Sequence, residues 1–120
     1  MAMILLAEDE AVLRMLIGDT LEDEEHLLDI ACDGEEALQK ISHNQYDLLI
    51  LDYMMPKLTG FEVLTRMKQM TDKQAVKVLI LSAESQHAKQ EKIRAAGADD
   101  FMPKPFSPLE LARKVEDMLA

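Results

Sequence analysis

The sequence predicts a doubly wound α/β domain, in which five helices flank a five-stranded parallel sheet. Three observations indicate this fold class. Short aliphatic runs alternate with longer segments of helical period, most runs lack the polar–apolar alternation of a half-exposed strand, and the pattern repeats five times. Unbroken aliphatic runs are typical of strands buried on both faces, as in a parallel sheet covered by helices. Strands that alternate with helices indicate repeated βα units.

The predicted elements follow from these patterns. The strands are the apolar runs, of which the second is interrupted by Asp29 and the fifth is weak: Met3–Ala7, Leu27–Ala31, Leu48–Leu51, Val76–Leu81 and Asp100–Met102. The helical segments cover residues 10–24, 34–43, 60–70, 85–96 and 107–119. Five strands joined by right-handed crossovers favour the flavodoxin-like order 2-1-3-4-5.

Start and stop signals support several of these helices. Thr59–Glu62 and Ser107–Glu110 have the spacing of a capping box, in which a side chain at each end bonds the backbone of the other. Asp33–Glu36 has a similar form. Pro108 stands at the favoured first helical position, and Gly97 suits the end of the fourth helix.

Composition and charge restrict the function. The 120 residues fit one domain over residues 1–120. A formal charge of -10 argues against direct binding to nucleic acid or an anionic membrane, because both need a positive field. No apolar run approaches the ~20 residues that span a bilayer, and the N-terminus lacks the basic lead of a signal peptide. Because Cys32 is the single cysteine, a reducing, cytoplasmic setting is expected.

Polar side chains stand at the ends of the predicted strands. Glu8 and Asp9 follow the first strand, Asp52 follows the third, Ser82 follows the fourth, and the fifth leads into Lys104. The order 2-1-3-4-5 places a crevice between strands 1 and 3 at their carboxyl ends. We therefore expect three carboxylates, a hydroxyl and an ammonium to meet there.

Such a cluster indicates a particular chemistry. Carboxylates ~4 Å apart repel by roughly 4 kcal/mol per pair at an effective dielectric constant near 20, so they need a proton, a cation or a metal. Oxygen ligands favour Mg²⁺, which completes its shell with water and phosphate oxygens. Lys104 can pair with Asp52 or with a phosphoryl oxygen, and Ser82 can donate to the same group. These are the components that form an aspartyl phosphate, with Asp52 as the nucleophile.

Five short motifs occur in order along nearly the whole chain. They are Glu8-Asp9, Asp52-Tyr-Met-Met-Pro56 with Gly60 four residues later, Leu81-Ser82-Ala83, Gly97-Ala-Asp-Asp-Phe101 and Met-Pro-Lys104-Pro105-Phe106. Together they resemble the receiver domain of two-component response regulators, such as the chemotaxis response regulators. Each motif alone has little specificity, whereas the set is highly specific.

The resemblance implies a function and a metal site. Asp52 would accept a phosphoryl group from a histidine kinase or a phosphotransfer protein, in a step that needs Mg²⁺ or Mn²⁺. Asp9, Asp52 and the backbone carbonyl of Met54 would bind the metal directly, and Glu8 would act through water. Many family members have aspartate at position 8, so the resemblance supports Glu8 as a ligand less than it supports Asp9 and Asp52.

The resemblance also implies a switch. Ala83 and Lys104 would bind the phosphoryl group, and the peptide bond after Lys104 would be cis. Ser82 and Phe101 match the switch pair, whose movement changes the face formed by the fourth helix, fifth strand and fifth helix. That face would signal to a downstream effector or an output domain, and it would also serve a dimer. The domain would gain and lose its own phosphoryl group without being a turnover enzyme.

Three positions are expected to tune this behaviour. Family members commonly have tyrosine at position 101, and because Phe101 has no hydroxyl to satisfy, we expect its ring to be buried even without phosphorylation. Met54 offers no side-chain hydrogen bond to an attacking water, which favours slow loss of the phosphoryl group. Glu84 occupies the second tuning position, where a carboxylate either orients or repels water.

Three other functions are consistent with parts of the pattern. A phosphohydrolase of the haloacid-dehalogenase type also uses an aspartate after a buried strand, but carries a second aspartate where this chain has Met54. A flavin- or nucleotide-binding module needs a glycine- or hydroxyl-rich phosphate loop after the first strand, where Glu8-Asp9-Glu10 has the wrong charge. A receiver-like domain that binds proteins without phosphorylation would not need all five key positions.

Overall fold

The computed structural model describes residues 1–83 and 89–120. A five-stranded parallel sheet has the order β2-β1-β3-β4-β5, which confirms the predicted fold class. The strands are β1 (Met3–Ala7), β2 (Leu27–Ala31), β3 (Leu48–Asp52), β4 (Lys77–Ser82) and β5 (Asp100–Pro103). The helices are α1 (Ala11–Asp23), α2 (Gly34–His43), α3 (Gly60–Met67), α4 (Gln90–Ala95) and α5 (Pro108–Leu119), with a 3₁₀ turn at Thr71–Lys73.

The observed bounds differ from the predicted ones at a few ends. Helix α3 stops at Met67, because the chain then tightens into turns that lead to the 3₁₀ turn. Strands β3, β4 and β5 each run one residue farther than predicted, since bonds such as Lys104 N–H to the Ser82 carbonyl (2.8 Å) continue the ladder. The predicted fourth helix begins at residue 85, and residues 84–88 lie outside the described residues.

The core has one apolar layer on each face of the sheet. The central strand β3 is buried throughout, and its side chains alternate between the layers. Leu49 and Leu51 pack with the α2–α3–α4 layer, whereas Leu48 and Ile50 pack with the α1–α5 layer. Burial on both faces explains the unbroken aliphatic run in this segment. Within the described residues, no helix has the length and apolarity needed to cross a membrane.

The interruption of the second apolar run has a structural cause. Strand β2 lies at the sheet edge, where Asp29 accepts hydrogen bonds from the Tyr46 hydroxyl (2.6 Å) and the Lys40 ammonium (3.1 Å). The tyrosine hydroxyl, with help from Lys40, lowers the pKa of Asp29. A charged residue on an edge strand also disfavours pairing with another chain.

The predicted capping boxes are present at α3 and α5. Thr59 and Ser107 each accept from the backbone of the glutamate three residues on, and each glutamate accepts from the cap backbone. At α2 the second bond differs, because Glu36 accepts from the backbone of Cys32 (2.6 Å) while Asp33 accepts from Glu36 (2.8 Å).

Gly60 allows a close approach between α3 and the end of β3. Its N–H donates to the Tyr53 carbonyl (2.8 Å), and a Cβ at this position would lie 2.5 Å from the Asp52 carbonyl oxygen. A side chain here would therefore displace the backbone that carries Asp52.

We predict that Gly60→Ala destabilises the fold by about 2 kcal/mol, because the added methyl group overpacks against backbone. Gly18→Ala is the matched control. Its Cβ would meet the Leu28 side chain at 3.4 Å, within ordinary contact, and alanine favours the helix interior by up to ~1 kcal/mol. Urea denaturation of both variants measures the difference, and equal stabilities would contradict the role assigned to Gly60.

Candidate functional site

Three carboxylates meet at the carboxyl ends of β1 and β3. Glu8 and Asp9 directly follow β1, and Asp52 is the last residue of β3. One oxygen from each lies within 4.8 Å of the others. The pairing of Ala7 with Leu51 produces this arrangement, because the next residue along each strand then stands at the same edge. The predicted juxtaposition is confirmed.

The three carboxylates differ in their exposure to solvent. Glu8 is completely buried, Asp52 is 5% exposed, and Asp9 is exposed. One Glu8 oxygen accepts from the Glu10 backbone N–H (3.1 Å). The group is therefore closed to solvent at Glu8 and meets solvent at Asp9.

Lys104 places one ammonium against two of these carboxylates. Its Nζ lies 3.1 Å from an Asp52 oxygen and 3.2 Å from a Glu8 oxygen. The contact with Asp52 was predicted, whereas the contact with Glu8 was not. The backbone of Lys104 is held by its bond to the Ser82 carbonyl, and the peptide bond to Pro105 is cis, as expected.

Burial and crowding disturb the protonation of this group. Burial, reinforced by the charge of Asp52, raises the pKa of Glu8 from 4.5 to about 7. Burial also raises the pKa of Asp52, although Lys104 opposes this shift. Burial alone would lower the pKa of Lys104, but the two carboxylates outweigh it and raise the pKa. Three carboxylates against one ammonium leave the site short of positive charge.

This donor set fits a hard divalent cation. Its side-chain ligands are all carboxylate oxygens, they converge within 4.8 Å, and they include an exposed member through which an ion can enter. Mg²⁺ and Mn²⁺ prefer such oxygen ligands, whereas zinc sites favour nitrogen and sulfur. Glu8, Asp9 and Asp52 can therefore hold the expected metal.

The other predicted site residues lie on or next to the ends of the strands. Ser82 ends β4 and is 1% exposed, and Ala83, which follows it, is half-buried. Phe101 lies on β5 and is buried. The Met54 side chain is 56% exposed. Glu84, the second tuning position, lies outside the described residues.

The sequence patterns did not predict the supporting role of Arg14. The Arg14 guanidinium donates to the Glu8 backbone carbonyl at 2.8 Å, so α1 holds the end of β1. The sequence places Arg14 in the first turns of a helix, but an arginine there equally faces solvent. Its orientation is decided by how α1 packs on the sheet.

We predict that Glu8→Gln flattens the pH dependence of the stability of the metal-free protein. The pKa of Glu8 is about 7 in the fold and 4.5 ordinarily. The folded state then holds its proton more tightly, so this contribution to stability is complete below the ordinary pKa and is lost as the pH rises through about 7. Glutamine keeps the shape and cannot ionise.

Urea denaturation in EDTA at about pH 5 and about pH 8 measures this effect, and the loss of stability should be about 2 kcal/mol smaller in Glu8→Gln. Glu22→Gln, an exposed position at the end of α1, is the control and should behave like the parent. Parallel pH profiles for all three proteins would contradict the prediction.

Comparisons with known proteins agree with this geometry. Residues 4–116 match the family of the response regulator receiver domain. The chain is 39% identical over 116 residues to the transcriptional regulatory protein ResD of Bacillus subtilis (strain 168), an alignment that covers 97% of this chain and 47% of ResD. Nearly the whole of this chain is thus similar to about half of a bacterial regulator.

Solved structures show the same likeness. The Vibrio cholerae chemotaxis protein CheY4 superposes with a TM-score of 0.92 at 31% identity, covering 99% of both chains. The receiver domain of the sensor histidine kinase PA1611 from Pseudomonas aeruginosa PAO1, solved with a magnesium ion coordinated in its active site cleft, has a TM-score of 0.89 at 25% identity, covering 98% of this chain and 97% of that one.

The fold and the acidic site together define a signalling domain of two-component systems. The chain belongs to the response regulator receiver domain family, as its motifs predicted. It spans about half the length of the curated relatives that it matches.

Proposed function

We propose that Asp52 is a phosphoacceptor, which receives a phosphoryl group from a histidine kinase or a phosphotransfer protein in a Mg²⁺-dependent step. The observation that carries this proposal is the position of its carboxylate, which lies 3.1 Å from Lys104 Nζ and within 4.8 Å of the other two acids. Glu8 is closed off from solvent and Asp9 is exposed. Asp52 alone combines an ammonium partner with a place beside the open side of the site.

The proposed transfer is a substitution at phosphorus. An Asp52 oxygen attacks the phosphorus of a phosphohistidine, the phosphorus–nitrogen bond breaks, and the imidazole leaves with a proton from solvent. The bound cation would neutralise charge on the phosphoryl oxygens. Lys104 then pairs with a phosphoryl oxygen in place of the Asp52 carboxylate, and the Ser82 hydroxyl donates to the same group.

The metal would be held by Asp9, Asp52 and the Met54 backbone carbonyl, with Glu8 acting through water. The magnesium ion coordinated in the active site cleft of the similar PA1611 receiver domain supports this assignment. The electrostatics of this chain support it as well, because burial, reinforced by the charge of Asp52, raises the pKa of Glu8, and a divalent cation would favour the ionised carboxylate.

We propose that Ser82 and Phe101 transmit the conformational change from the site to the surface. Ser82 lies at the end of β4, and Phe101 lies on the neighbouring β5, where it pairs with Ile80. Movement of the hydroxyl toward a phosphoryl group would alter the face formed by α4, β5 and α5. We propose that this face contacts an effector, an output domain or a second copy of the chain. The first relatives are named as transcriptional regulators and are about twice as long, which supports an output domain.

Acetyl phosphate with Mg²⁺ tests the central proposal. Intact mass spectrometry should show the gain of one phosphoryl group on the parent and none on Asp52→Asn, because the amide cannot act as the nucleophile. Asp23→Asn, at an exposed position outside the site, is the matched control and should gain the group as the parent does. The assignment would be contradicted if Asp52→Asn were modified at the parental rate, or if the parent were modified equally well in EDTA.

We also predict that Met54→Asn speeds loss of the phosphoryl group about fivefold, because one added hydrogen bond to the attacking water contributes about 1 kcal/mol. The Met54 side chain is 56% exposed, which supports its access to water. Met54→Leu is the control and should keep the parental rate. Decay of the modified mass after removal of acetyl phosphate measures the rates, and an unchanged or slower rate for Met54→Asn counts against the role of Met54.

A phosphohydrolase is the weaker candidate function. Its second acid would stand at position 54, where the exposed methionine has no ionisable group. The domain is therefore proposed to hold its phosphoryl group as a signal and not to turn over phosphate esters. Steady release of phosphate from a generic ester, beyond one equivalent per chain, would favour the enzyme.

A further inference from the structure

Helix α4 contacts the domain through one buried residue and several cations. Its single fully buried residue is Ile93. Three cations on this segment instead lie over aromatic rings: Lys89 over Tyr53 (5.3 Å to the ring centre), Lys92 over Phe61 (4.7 Å) and Arg94 over Phe101 (4.7 Å). The chain has five aromatic residues, so α4 and the residue before it cover three of them.

Contacts of this kind are modest and directional. A cation within about 6 Å of a ring centre is attracted to the ring face, and at an exposed site the contact shifts an equilibrium about 2- to 5-fold. Apolar packing through Ile93 attaches α4 to the core. The cations add a directional preference for the ring that each of them covers.

The contact between Arg94 and Phe101 is the one that bears on the switch. The Phe101 ring is 6% exposed, and the exposed guanidinium of Arg94 covers its outer side. Asp100 on the same strand is paired with Lys114 at 2.9 Å, and its charge also attracts Arg94. Arg94 also donates a long bond (3.4 Å) to the Asp99 carbonyl, which keeps it above the ring.

We propose that Arg94 is a positioning residue, which holds the Phe101 ring in its buried orientation before Asp52 is modified. The inference rests on the function proposed above, in which Phe101 and Ser82 form the switch. It adds that an arginine on α4 biases that switch. Without a cation at position 94, the Phe101 ring would be exposed for a larger fraction of the time.

Fluorine NMR of the 4-fluorophenylalanine-labelled chain tests the orientation of the ring. The chain has three phenylalanines, and Phe101→Leu identifies the resonance of interest. In Arg94→Ala, broadening of this resonance by a soluble paramagnetic probe should show an exposed-to-buried ratio raised about 2- to 5-fold. Arg94→Met, which keeps the long apolar stem and removes the charge, should behave similarly and decides the matter if the alanine variant folds poorly.

Lys92→Ala is the matched control. It removes the same charge from the same helix and takes a cation from Phe61 at the same 4.7 Å distance, so the Phe101 resonance should keep its parental broadening. The proposal is overturned if neither Arg94 variant alters the Phe101 resonance, or if Lys92→Ala alters it equally.

A second readout connects the ring to the site. Beryllofluoride with Mg²⁺ mimics a phosphoryl group reversibly. If the buried orientation of the Phe101 ring favours binding of beryllofluoride at Asp52, thermodynamic linkage requires that loss of this orientation weakens the binding. The apparent dissociation constant should rise about 2- to 5-fold in both Arg94 variants and not in Lys92→Ala. An unchanged constant beside an altered ring would refute the bias on the switch. Failure of the parent to bind would instead refute the proposed function, while the fluorine result would still judge the role of Arg94 over the ring.

Discussion

The ammonium of Lys104 lies between the carboxylates of Asp52 and Glu8, at 3.1 and 3.2 Å, and joins three strand ends that are far apart in the chain. Neither carboxylate could be buried as an anion without a partner, because desolvation of an isolated charge is strongly unfavourable. The ammonium only partly compensates for two of them, and the pKa of Glu8 rises to about 7 as a result. The remaining deficit of positive charge is what suits the site to a divalent cation.

The fold holds this unfavourable cluster in place by making its surroundings rigid. Every residue of β3 is buried, so the strand that carries Asp52 is fixed by both apolar layers. Gly60 brings the start of α3 against the Asp52 backbone, and Arg14 holds the end of β1. The free energy of burying the apolar strands offsets the repulsion concentrated at their ends, a common relation between core stability and functional sites.

Glutamate at position 8 has a particular consequence. Its longer side chain reaches the Glu10 backbone and the Lys104 ammonium while its carboxyl group is completely buried. Because its pKa lies near neutrality, a proton and a cation compete for the same group, and binding of one disfavours the other.

Sequence patterns were enough to predict the class of fold, the strand order and the meeting of Glu8, Asp9 and Asp52, since buried parallel strands have a recognisable pattern and their carboxyl ends share one edge. They also located the capping boxes, which depend on residues only three positions apart. Three contacts depend on tertiary packing: Lys104 reaches Glu8 as well as Asp52, Arg14 reaches the Glu8 carbonyl, and Arg94 covers Phe101. Long charged side chains adopt many rotamers, and which partner each one reaches depends on the packing of helices from distant parts of the chain.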